Sequence, residues 1–157
     1  MAETDVRALI ALQEASYARA GRGLRGSWPR EQAMAAAGLH AFLDARRYGV
    51  LATARPDGRP QAAPISFLVR GGSFWFATVA GARLRNLRAQ PYASLVVSDG
   101  EAGAHRVVMA EGGVRLHEPT AALASEWAER HGSDPAWAAA YVELVPDRAF
   151  SYAALPD

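Results

Sequence analysis

Apolar positions recur at helical spacing over residues 4–20, where Val6, Leu9, Ile10, Gln13 and Tyr17 share one side and Thr4 can cap the start. Gly21-Arg22-Gly23 ends that segment, and residues 21–28 read as a mobile loop rich in glycine and arginine. Pro29 suits the first turn of a second helix running to Arg46. Ser27 is its candidate cap, and Met34, Leu39, Phe42 and Leu43 form its inner stripe.

The period then changes. Tyr48 to Arg55 is a short apolar run closed by Pro56-Asp57-Gly58, a hairpin signal in which proline presets the first turn position and glycine supplies a positive φ. A second strand is predicted over Gln61 to Val69. Pro64 lies inside it, which argues for an edge strand or a bulge. After the turn Arg70-Gly71-Gly72-Ser73, Phe74 to Val79 is the strongest strand signal in the chain. A short helix over Gly81 to Gln90 ends before Pro91, and strands follow at Tyr92 to Ser98 and Arg106 to Leu116. Residues 119–131 read as a helix. Asp134-Pro135 begins another helical stretch containing Trp137, and Tyr141 to Leu155 is a last strand broken at Pro146-Asp147. Five or six antiparallel strands with few helices predict a mainly β (α+β) fold, a small antiparallel barrel with peripheral helices.

Composition narrows the chemistry. The chain has 157 residues, half of them hydrophobic and 21% charged, which suits one globular domain with a substantial core. Seventeen basic residues against sixteen acidic ones give a formal charge of +1, so no global field draws nucleic acid or an anionic membrane. The absence of cysteine excludes disulfides, zinc–thiolate sites and thiol nucleophiles. The opening MAETDVRALI lacks a basic region before an apolar run, so neither a signal peptide nor a membrane span is expected and a cytoplasmic protein is. Every basic residue is an arginine, which rules out a Schiff-base lysine and gives any phosphate-binding role to a planar guanidinium.

Few motifs carry chemistry. Gly21 to Gly26 has the letters of a dinucleotide-binding glycine loop, but it follows a helix and no βαβ unit surrounds it. His40, His105, His117 and His131 show no metal-ligand spacing, so no metal is expected. The four tryptophans read as core or interface residues. The informative segment is Thr78 to Leu87, TVAGARLRNL, a strong strand entering a short helix. Arg83 can reach across the helix start, where free N–H groups favour an anion, and Thr78 adds a hydroxyl. On this pattern alone, a phosphate cradle and a solvated helix with ordinary surface arginines both remain open.

The ordered set Ala52-Thr53, Pro56-Asp57-Gly58, Pro64, Phe74 to Thr78, Arg83-Leu84-Arg85-Asn86-Leu87 and Pro91 resembles the flavin/deazaflavin oxidoreductases related to pyridoxamine 5′-phosphate oxidase. The resemblance covers residues 46–117 well, the tail VELVPDRAFSY moderately and the first forty-five residues poorly. It implies a six-stranded split β-barrel over 46–157, a helical extension over 1–45 of the same domain, a homodimer, and a flavin in a groove between subunits. In that pattern Arg83, usually a lysine, binds the cofactor phosphate. Arg85 matches the second basic position, followed by Asn86, and Thr78 a phosphate-side hydroxyl. Pro64, Ile65, Ser66 and Phe67 run beside the isoalloxazine ring. The substrate motifs of the vitamin B6 oxidases are not recognisable. The resemblance implies an enzyme acting on a small molecule through FMN, with no catalytic side chain assigned. The alternative cofactor is the deazaflavin F420, whose longer anionic tail would use arginines such as Arg22 and Arg25. A haem- or flavin-storing binding protein is the third reading, with His105 or His117 as candidate haem ligands.

Overall fold

The computed structural model describes residues 1–154. Helix α1, Glu3–Arg19, buries Val6, Leu9, Gln13, Ser16 and Tyr17 along one side. Its start is closed by Asp5 and not by Thr4, which is exposed: the Asp5 carboxylate accepts from the Ala2 N–H at 2.9 Å. The same carboxylate accepts from the Gly72 N–H at 3.3 Å, fastening the helix start to a distant turn. Gly72 sits at φ +74°, and a Cβ there would lie 2.8 Å from Ala8, so both backbone and packing require glycine.

Residues 21–28 are not a loop. Arg22–Ser27 form the short helix α2, with Ser27 inside it instead of capping the next one. Leu24 and Trp28, one turn apart, pack against the buried cluster of Tyr17, Ala20 and Phe150, and this contact closes the turn despite three glycines. The predicted helix over 29–46 is also divided. A single 3₁₀ turn, Arg30–Gln32, precedes α3, Ala36–Ala45. Met34 interrupts it because its backbone is taken by tertiary bonds: its N–H donates to Ser151 Oγ at 2.8 Å and its carbonyl accepts from Gln13 Nε2 at 3.1 Å.

The sheet is built from β1 (Tyr48–Ala54), β2 (Pro60–Ser66), β3 (Leu68–Arg70), β4 (Ser73–Thr78), β5 (Tyr92–Asp99), β6 (Arg106–His117) and β7 (Ala140–Ala153), all antiparallel. Helix α4 (Ala82–Ala89) follows β4, and α5 (Ala121–His131) precedes β7. The order is β2-β1-β5-β6-β7-β4-β3. There are thus seven strands and not six, because the strand expected over 61–69 breaks at Phe67. That side chain is fully buried and packs on Phe74 at 5.9 Å, so the chain leaves β1 after Ser66 and restarts as a hairpin with β4 at the far end of the sheet. Two segments consecutive in sequence therefore occupy opposite ends, and the sheet curls until those ends face each other.

Two further expectations change. Pro146-Asp147 does not break β7. Glu111 pairs with Arg148 and Gly112 with Pro146, so Asp147 is the extra residue of a β-bulge that absorbs the proline. The stretch after Asp134 is a turn and not a helix: Ala138 N–H bonds Pro135 O, and Ala139 N–H is drawn to Thr78 O at 2.9 Å to start β7 beside β4. The expected end of that strand, Leu155, lies outside the described residues. The core inside the curl includes Leu51, Phe67, Phe74, Phe76, Leu87, Leu95, Val97 and Leu144. Among the described residues no helix is long and apolar enough to cross a membrane, and no cluster of metal-ligating side chains occurs.

Candidate functional site

The curl leaves a slit between β2 and β4. Tyr48 pairs with Ser66, and the Phe67 N–H donates to Arg47 O at 3.2 Å, so odd-numbered residues of β2 turn their N–H and C=O groups to β1. Ala62, Pro64 and Ser66 consequently turn theirs into the slit. Pro64 forfeits no ladder bond there, which is why this edge strand tolerates a proline. On the opposite bank β3 pairs only with Ser73–Trp75, so Phe76–Thr78 also present a free backbone edge.

Arg83 sits between these banks, in the first turn of α4. No side chain caps that helix at Gly81, which leaves N–H groups open beside the guanidinium. Arg83 is half-buried, and burial pulls its pKa below the ordinary arginine value while leaving it a cation. Among the described residues no carboxylate lies within 4.0 Å of it, as is also so for Arg19, Arg22, Arg25, Arg47, Arg55, Arg85 and Arg88, whereas the other nine arginines have one. Its one hydrogen bond, Nη2 to Pro64 O, is 3.5 Å long. Two pockets flank it. One, about 220 Å³, runs toward Leu51, Thr53, Gln61 and Ala63, and the other, about 210 Å³, toward Ile65, Trp127 and Trp137. Thr78 and Val79 line both.

The eight sequence-derived residues divide by role. Pro64, Ile65, Ser66, Thr78 and Arg83 line the slit together. The Thr78 side chain is buried, and its hydroxyl has only a long 3.4 Å contact with Val79 O. Phe67 offers the slit no side chain, since it is wholly in the core. Asn86 is buried and holds α4 in place: its Nδ2 donates to Thr53 Oγ1 at 3.1 Å and Gln61 Oε1 at 2.8 Å. Arg85 points elsewhere, lining an adjacent pocket of about 500 Å³ with Arg55, Asp57 and Gln61. Arg25 lines a pocket beside α1 with Glu14 and Arg30, and Arg22 is exposed on α2; neither lines the slit. His117 is engaged by Glu143 at 3.1 Å and stacked on Trp75, while His105 lies against Tyr152, and neither lines the slit.

Sequence reading missed Trp127 and Trp137. They reach the slit only because α5 and the turn after it fold over β4, a relation no local pattern encodes. No signal in the sequence marks this wall; in the structure Val79, exposed directly after a fully buried strand, borders it.

The donor set fits a phosphorylated, planar cofactor. A desolvated cation without a counter-ion, a hydroxyl and helix-start N–H groups suit a phosphate, and the free backbone groups of Pro64 and Ser66 suit the polar edge of a ring. A curled antiparallel sheet split between its two end strands defines the class, the split barrels of the flavin type. The family model for pyridoxamine 5′-phosphate oxidase matches residues 36–154, and the chain belongs to that family. Among solved structures, the conserved hypothetical protein Rv2991 from Mycobacterium tuberculosis is 27% identical, with a TM-score of 0.71 over 80% of this chain and 89% of that one. A protein named F420 reductase is also 27% identical, with a TM-score of 0.60 over 70% of this chain and 94% of its own. The heme storage protein HutZ from Vibrio cholerae, 21% identical with a TM-score of 0.65 over 73% and 92%, shares the fold. No curated protein matches the chain in sequence.

Proposed function

We propose that the protein is an oxidoreductase that holds FMN in the slit, with the phosphate on Arg83 and the ring along Pro64 to Phe67. The observation that supports this most is the half-buried guanidinium of Arg83, without a carboxylate partner among the described residues, between two free strand edges. The flavin supplies hydride and electron transfer to a small-molecule partner. The chain does the rest. Arg83 and Thr78 bind the phosphate, and Asn86 holds α4 so that Arg83 faces β2. The backbone of Pro64 and Ser66 orients the ring, and the apolar walls exclude water. No side chain is assigned a proton-transfer role.

A second reading, the deazaflavin F420, has its own support. Arg55 and Arg85 line a pocket next to the Arg83 cradle, sharing Ala82 and Gln61 with it, where a longer anionic tail would find two cations. The likeness to the F420 reductase agrees. A homodimer belongs to the same proposal. Val50 and Val96 stand side by side on the outer face of β1 and β5, with Val50 46% and Tyr48 67% exposed, and this apolar pair supports a partner surface; beyond it Met109 packs against the cluster of Tyr17, Ala20 and Phe150.

The test is the absorption spectrum of the protein as purified and after titration with FMN or F420. A flavin or deazaflavin spectrum supports the reading. A Soret band, or no uptake of either cofactor, overturns it. Sedimentation should give twice the 16.8 kDa subunit mass.

A further inference from the structure

Helices α1 and α5 both lie on the sheet, and they are fastened differently. The buried polar side chains of α1 are bonded to their surroundings: Ser16 Oγ accepts from the Ala149 N–H at 3.0 Å, Tyr17 donates to Ser151 O at 2.9 Å, and Gln13 donates to Met34 O at 3.1 Å. Helix α5 buries only Leu123 and Trp127. Among the described residues no backbone hydrogen bond joins it to a strand. Its seat holds three buried polar atoms without a hydrogen-bond partner, Trp127 Nε1, His131 Nε2 and the hydroxyl of Tyr141 on β7. Trp127 meets Tyr141 edge-on there, with ring centroids 6.2 Å apart.

A buried polar group without a partner is costly, and opening returns it to water. These three atoms therefore offset part of the cost of exposing Leu123 and Trp127 when α5 leaves its seat. The joints suit that movement. Residues 118–120 and 132–134 are exposed on either side, and Gly132, at φ +70°, ends the helix in a left-handed turn. Arg130 holds the far end down. Its Nη2 donates to the carbonyls of Leu43 at 2.9 Å and Arg46 at 2.6 Å, and its Nη1 to Asp44 Oδ1 at 3.3 Å, so that it grips the C-terminal end of α3. The surface pair of Glu126 with Arg70, 3.3 Å apart, is a weaker tie.

The same segment walls the outer end of the slit. Trp127, on α5, and Trp137, in the turn after it, line a pocket of about 210 Å³ with Ile65 and Arg83. That is below the roughly 300–1,000 Å³ of a typical small-molecule site, and moving this wall enlarges it. We infer that α5 and the turn after it form a lid, latched by Arg130 on α3, that opens as one unit from β4 and β7 and gates the outer end of the slit. The opening belongs to the ligand-free chain; only the gating rests on the cofactor reading above.

Residue-resolved hydrogen exchange on the ligand-free protein tests the lid, since an amide exchanges through the least costly opening that frees it. The amides of residues 124–127 should exchange about a hundredfold faster than those of β6 and β7. Arg130→Ala should speed them roughly tenfold to a hundredfold, although they lie up to a turn and a half from the substitution, because charge-assisted bonds to the end of α3 are lost. Gln13→Leu should speed β6 and β7 and leave α5 within about twofold, because the bonds of Gln13 stay intact when only α5 opens. Saturating FMN, its binding followed by its own spectrum, should slow the α5 amides about tenfold. Helix α5 amides that exchange together with β6 and β7, or that Gln13→Leu speeds as much as it speeds the strands, overturn the lid. So do amides at 124–127 left unmoved by Arg130→Ala, which would reduce the change to fraying of the helix end. Should Arg130→Ala fail to fold, the comparison of wild type with Gln13→Leu decides alone. FMN that binds without slowing α5 overturns the gating. FMN that fails to bind removes the function proposed above and the gating with it, while the ligand-free rates still decide the opening.

Discussion

A large cavity among the N-terminal helices and the slit beside Arg83 are built on different principles. The large one, about 670 Å³, lies between α1, α2 and the 3₁₀ turn and is lined by Glu14, Tyr17, Arg25, Arg30 and Glu31. Several of its polar groups are paired within the protein, while Arg25 has a 3.4 Å contact with Ala18 O and Glu31 has no side-chain partner among the described residues. Glu14 pairs with Arg30, and Tyr17 donates to Ser151 O at 2.9 Å. Beneath it, Ser16 Oγ accepts from the Ala149 N–H, and Gln13, Met34 and Ser151 bond one another. The slit pockets are each less than half that size, yet they hold a cation with no carboxylate within 4.0 Å among the described residues and two free strand edges. Unsatisfied chemistry, more than volume, separates a site from a gap between helices.

If the N-terminal region is structural, damage there should cost stability and spare flavin binding. Phe150→Ala removes the ring that Tyr17 meets edge-on at 5.1 Å and that Trp28 covers. It should lose about 3–5 kcal/mol in urea unfolding, with flavin affinity unchanged for the folded fraction. Gln13→Leu strands the Met34 carbonyl and should cost about 1–3 kcal/mol in the same assay. Either variant losing flavin affinity while fully folded would break the contrast between the two regions.

A smaller effect comes from pH. Burial, with Arg130 nearby, holds the His131 pKa below its ordinary value of about 6.5. The unfolded chain therefore takes up this proton first as pH falls. Stability contributed by neutral His131 is present above about pH 6.5 and declines as pH drops toward the depressed folded value. Thermal melts of wild type should fall between pH 7 and 5.5 more steeply than those of His131→Gln. Parallel curves would remove this role for His131.

The sequence makes the strands legible because their signals are local: an alternating apolar run, a Pro-Asp-Gly turn, a proline marking an edge. It also marks Arg83 as a candidate anion ligand, because a strand-to-helix step exposes N–H groups, while leaving the reading of an ordinary surface arginine open. The break at Phe67 is not legible. A nine-residue run with one proline looks like a single strand, and only the core that takes Phe67 decides that Ser66 and Leu68 part company. The helix at 22–27 is hidden for the same reason, since its glycines argue against it until Leu24 and Trp28 find Phe150. Trp127 and Trp137 lie furthest from local pattern, because their role depends on where α5 lands over β4.

The central claim is that Arg83 is held half-buried and without a carboxylate partner for a cofactor phosphate, and a flavin-fluorescence titration tests it most directly. Wild type, Arg83→Ala and Arg83→Lys are compared with FMN, alongside their melting temperatures without ligand. The charge-assisted contact is worth about 1.5–3 kcal/mol, so Arg83→Ala should bind FMN roughly tenfold to a hundredfold more weakly, and Arg83→Lys should lose less. Relieved of a desolvated cation, the ligand-free Arg83→Ala protein should melt no lower than wild type. An Arg83→Ala variant that binds FMN as tightly as wild type, or that unfolds several degrees earlier without ligand, would contradict the account.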